Sequence, residues 1–90
     1  MNNARRKRIK QMLDIVTDIS HKCDTLSSLV QDILDEESES LSNMPENLEG
    51  SDRWQSISDA VDNLEDARDS IDEMIGNLSS VESGLQKASE

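Results

Sequence analysis

The sequence predicts an all-α protein, an antiparallel helical hairpin of two long helices that self-associates into a coiled-coil or four-helix bundle. Three observations carry that reading. Apolar residues recur at alternating intervals of three and four on both sides of the midpoint, the repeat of a helix, and nowhere alternate at the period of a strand. Trp54 is the one aromatic residue, too little to fill a sandwich, a barrel or an α/β sheet. The only proline, the only tryptophan and one of three glycines fall together within Asn43 to Trp54, between two uninterrupted periodic stretches. Ninety residues bound this to one domain, with a basic N-terminal tip at 1–10, a first helix from about 3 to 41, a connector at 42–51 and a second helix from about 52 to 87.

In the first helix, taking Ile9 as heptad position a, the a row is Ile9, Val16, Cys23 and Val30, and the d row is Met12, Ile19, Leu26 and Ile33. Leu13, Leu34 and Leu41 add an e row, and Ile15 and Leu29 partly fill g, so the stripe is wider than a two-stranded seam needs. The connector reads as a corner. Ser42 or Asn43 can cap a short helical turn with Pro45 at an early position, where its missing N–H is harmless, and Gly50 can end that turn in a left-handed conformation. Asp52, three residues before Gln55, has the spacing of a capping box that restarts the chain as a helix, and Trp54 with Leu48 can plug the open end of the bundle.

The second helix has Ile57, Leu64, Ile71, Leu78 and Leu85 in its d row, and Trp54, Val61, Arg68, Ile75 and Glu82 in its a row. Its g row is Ala60, Ala67, Met74, Val81 and Ala88, small enough in places for a neighbouring helix to approach closely. Two helices alone leave the outer parts of both stripes wet, and a core this thin offsets little of the roughly 1.5 kcal/mol per residue lost on ordering. A homodimer is the simplest closure, its core drawn from Val16, Ile19, Cys23, Leu26, Val30, Ile33, Ile57, Val61, Leu64, Ile71, Ile75 and Leu78. If two hairpins pack end to end reversed, the basic tip of one meets Asp35, Glu36, Glu37 and Glu39 of the other, and high salt weakens the pair.

Charge is divided unevenly. Residues 1–10 carry five positive charges and no acid, whereas residues 11–90 carry twenty acids against four cations, so +5 faces −16 and the total is −11. Such acidity argues against nucleic acid and anionic membrane as partners of anything but the tip. Arg5, Arg6, Lys7, Arg8 and Lys10 could contact a polyanion, but no aromatic residue is interleaved with them, and pairing with an acidic partner is the preferred reading. The single cysteine excludes an intrachain disulfide and fits a reducing compartment. No apolar run approaches the roughly 20 residues of a membrane span.

Catalysis is poorly provided for. His21 and Cys23 stand two apart on one helix, at f and a, and do not face each other, so the thiol reads as structural and the imidazole as solvated. No phosphate loop, metal-ligand spacing or calcium loop occurs, and the acids, Asp59, Asp62, Glu65, Asp66, Asp69, Asp72 and Glu73 among them, read as a solvated face that holds no metal. No cofactor is expected. The same three- and four-residue spacing of carboxylates also permits the rod to imitate the charge of DNA and occupy a nucleic-acid-binding or defence protein of a host.

Asn43-Met44-Pro45-Glu46-Asn47-Leu48, then Ser51-Asp52-Arg53 and an acidic helix with Ala60-Val61-Asp62-Asn63-Leu64-Glu65-Asp66-Ala67, resembles small uncharacterised helical-hairpin proteins of bacterial phages and prophages. Met44, Pro45, Glu46, Leu48, Ser51, Asp52 and Arg53 carry the resemblance, which spans about residues 43 to 75 and implies the hairpin but no activity. The chain is also similar in length, acidity and hairpin form to the WXG100 secretion family, but it lacks a Trp-x-Gly turn at the bend and a C-terminal Tyr-x-x-x-acid signal. The expectation is a non-enzymatic, phage-associated protein–protein interaction module in the cytoplasm of a bacterial host, working as a dimeric bundle on an unidentified protein target.

Overall fold

A computed structural model describes residues 1–90. Two helices, α1 (Asn3–Ser42) and α2 (Asp52–Ala88), run antiparallel and are joined by a corner containing one 3₁₀ turn, Glu46–Leu48. The result is a rod of 69 × 15 × 14 Å with no strand. At 1.5 Å per residue, 40 and 37 residues make helices of roughly 60 and 55 Å, so the hairpin closes with its two ends nearly level. Arg6 marks that closure: its Nε donates to the Ser89 carbonyl, 3.1 Å away.

The corner is built differently in detail from the sequence expectation. Asn43 is the C-cap of α1, its N–H bonded to the Glu39 carbonyl at 2.9 Å while the following Met44 N–H bonds to that of Leu41 at 3.3 Å, rather than the start of a new turn. Pro45 precedes the 3₁₀ turn as its N-cap residue, in an extended conformation and without a side-chain cap bond. Ser51, not Asp52, caps α2, its Oγ accepting from the Trp54 N–H at 3.2 Å. Serine wins because the residue with extended backbone is the one whose side chain reaches the third N–H, and Asp52 already lies inside the first turn, where its charge suits the helix dipole. Gln55, freed from any capping box, donates instead to Asp59 at 2.8 Å. Leu48 is exposed, so only Trp54, half-buried, packs toward the end of the hairpin.

Gly50 has φ +79°, as its place after the turn requires, and a Cβ there would meet no atom. Its replacement therefore tests backbone conformation alone. Gly50→Ala is expected to cost about 1 kcal/mol, whereas Gly76→Ala, inside α2 with open space around it, is expected to gain about 1 kcal/mol. Urea unfolding of the two variants beside the parent checks both signs.

The seam between the helices is narrow. On α1 it uses the a and e rows: Ile9, Val16, Cys23 and Leu34 are buried, with Leu13, Ser20, Ser27, Val30 and Leu41 half-buried around them. On α2 it uses a and d, with Val61 and Ile71 buried and Trp54, Ile57, Leu64, Arg68, Ile75, Leu78 and Leu85 half-buried. Arg68 sits in that row with its guanidinium 3.3 Å from Asp69. Only six residues of the chain are buried, which leaves much of each apolar stripe outside the seam.

Candidate functional site

The uncovered apolar surface is the largest unexplained feature of the rod. Met12, Ile19, Leu26 and Ile33, the whole d row of α1, are exposed, and so are Ile15 and Leu29 of its g row, at 59% and 56%. Rows e, a, d and g together span roughly 160° of α1, more than one neighbouring helix can cover. The seam takes the e side of that arc. Leu34 and Leu41, both e residues near the bend, turn inward beside the corner, and the outward half of the arc is left as a second stripe roughly 110° round the helix.

On α2 the g row is treated the same way: Ala67, Met74, Val81 and Ala88 are exposed. Viewed from each helix's own N-terminus, the outward stripe is displaced from the seam in the same rotational sense. Because the helices are antiparallel, that places both stripes on one side of the hairpin. Met74 lies at the lip between seam and outer side, with its Sδ 3.8 Å from the Cys23 Sγ. The c row of α2 borders this side with Ser56, Asn63, Ser70, Asn77 and Gly84, so the c and g rows of α2 contain no charged residue at all. That uncharged border went unread in the sequence, although its signal is plain there. An uncharged row in a helix with so many acids is not what solubility alone requires.

The opposite side is acidic, and few of its charges are matched. Two ion pairs occur in the chain, Lys22 with Asp18 at 3.2 Å and Arg68 with Asp69 at 3.3 Å. Arg5, Arg6, Lys7, Arg8 and Lys10 are all exposed and none reaches a carboxylate. Arg6 bonds to the Ser89 carbonyl and the Asn3 side chain, a cation at the negative end of α2, which compensates part of the cost of seating five cations at the start of α1. The remaining tip cations have no partner within the hairpin, so any pairing with carboxylates must be intermolecular.

The structure places the two reactive side chains apart in environment as well as direction. Cys23 is a free thiol, 5% exposed in the seam, and His21 is exposed. No three His, Cys, Asp or Glu side chains converge as a metal site. At the bend, Glu37, Ser40, Met44, Pro45, Arg53 and Ile57 help line an open depression of about 480 Å³. No helix is long and apolar enough to cross a membrane.

Of the residues expected to make the core or the oligomer interface, the structure puts Val16, Cys23, Val61 and Ile71 inside the hairpin. It half-buries Val30, Ile57, Leu64, Ile75 and Leu78, and turns Ile19, Leu26 and Ile33 outward. Of the connector residues, Pro45, Leu48, Gly50 and Asp52 are exposed and Trp54 is half-buried. Comparison with protein-family models, with curated proteins and with solved structures gives no match.

Proposed function

We propose that this chain is a non-enzymatic, phage-associated protein–protein interaction module that works as a self-associated helical bundle and presents its remaining faces to a protein target. The observation that carries the reading is the uncovered apolar side of the hairpin, where eight large side chains of α1 and α2 stand in water. A contiguous apolar surface of that kind on a small protein marks a contact with another protein. The half of the proposal that excludes catalysis is supported by the burial of the one thiol away from the one imidazole.

Sedimentation equilibrium at micromolar concentration tests the reading. A dimer is expected, with a thermal midpoint that rises with concentration. A folded, cooperative monomer would overturn it. Affinity capture from bacterial lysate, with a dissociated variant as control, then looks for the target.

A second reading rests on the acids: only Asp18 and Asp69 are ion-paired, and all the others but the half-buried Glu37 are exposed. That supports an inhibitor that mimics DNA and occupies a host nucleic-acid-binding or defence protein. The captured target distinguishes the two, because DNA competes for it only under the second reading.

A further inference from the structure

We infer that the uncovered side is occupied by a second copy of this chain, turned end for end so that the two α1 helices pack antiparallel about a two-fold axis at Lys22. This rests on the self-association proposed above and adds the face, the orientation and the register. The outward d and g rows of α1 begin with Arg5 and Arg8, pass three apolar residues to Lys22, then three more to Glu36, with Glu39 one turn on in the adjoining row. The row is nearly a palindrome in chemistry.

Turned upon itself about Lys22, the row brings Ile15 against Leu29 and Ile19 against Leu26 of the other copy. Met12 then meets Ile33. The same register sets Arg8 against Glu36 and Arg5 against Glu39, giving tip cations that find no carboxylate within their own hairpin a partner in the other. Lys22 meets its twin at the axis, and each is already held by its own Asp18 at 3.2 Å. The charge-free rows of α2 lie alongside, so Lys22 is the one charge at the centre of the contact and the α2 part of it buries none.

The other two-fold arrangement places both bends at the same end. It would set two tips of five cations side by side and gather the acids around Glu36 at the far end, each block facing its like. The distribution of charge therefore selects the reversed arrangement.

Single cysteines introduced into a Cys23→Ala background, with helicity verified by circular dichroism, read the register by oxidation. A disulfide needs Cα atoms within about 7 Å. Lys22→Cys is expected to form a covalent dimer with itself. Met12→Cys and Ile33→Cys are each expected to stay uncrosslinked alone and to join when mixed. Arg8→Glu is expected to weaken association about tenfold, with Glu36→Arg in the same chain restoring it.

Self-crosslinking of Met12→Cys, or no crosslink at any of the three sites, in a chain that sediments as a dimer would overturn the register and leave self-association standing. Failure of Glu36→Arg to restore Arg8→Glu would likewise overturn it. A monomer at micromolar concentration would overturn both.

Discussion

Leu34→Asp and Ile71→Asp are each expected to abolish the helical circular dichroism of the chain at room temperature. Leu34 is 3% exposed and Ile71 is 6%, and between them they hold the seam on both helices. Removing either side chain costs about 2–5 kcal/mol, and a carboxylate left unpaired in its place adds several more. A small domain has only about 5–15 kcal/mol to lose, and one with six buried residues stands at the low end. Ile71→Val, which deletes one methylene, is expected to cost about 1 kcal/mol and stay folded. Circular dichroism with urea titration checks the series. A folded Leu34→Asp chain would show that the seam does not carry the fold.

Ile15→Asp combined with Leu29→Asp is expected to have the opposite character, dissociating the protein and leaving it helical at low temperature. Neither residue belongs to the seam, and both are more than half exposed in the hairpin, so the substitutions leave its interior intact. Two-fold symmetry doubles their effect, because each substitution appears twice in one interface. Four carboxylates at about 1–2 kcal/mol each amount to roughly a thousandfold or more in dissociation constant. The thermal midpoint should fall and lose its dependence on concentration. Asp14→Asn, an f residue on the charged side, is the control expected to sediment like the parent. A double variant that still sediments as a dimer would move the interface to another face.

Together the two experiments separate folding from association. They do so because α1 carries two apolar stripes on one arc, one that closes the hairpin and one that remains outside it. A chain with a single narrow stripe could not be dissected in that way.

Much of this was legible from residues alone. The helix limits follow from where the three-and-four repeat starts and stops and from the cluster at Asn43 to Trp54, and both helices end within a residue of the expected positions. Gly50 was legible because a left-handed residue after a short turn favours the side chain with no Cβ. The caps were less so. Ser51 and Asp52 are both good cap residues, and only the backbone, extended at the first and helical at the second, decides which side chain faces the free N–H groups. The tip's lack of intrachain ion pairs was hidden as well, since a net charge of +5 beside −16 does not say which charges lie within reach of each other.

Two helices of similar length, the tight corner that joins them, and more apolar surface on each than one partner can bury all follow from the order of residues. These are local properties, set by residue spacing and turn chemistry. Which part of each stripe lies inside the hairpin depends on how the two helices pack. A heptad count treats a, d, e and g as one continuous arc, and the rotation of each helix about its axis is fixed by the corner, where Leu41, Met44, Trp54 and Ile57 are half-buried, and by packing along the seam. With α1 turned to its e side and α2 to its d side, the outer rows of both helices fall on the same side of the rod, and two leftovers become one surface.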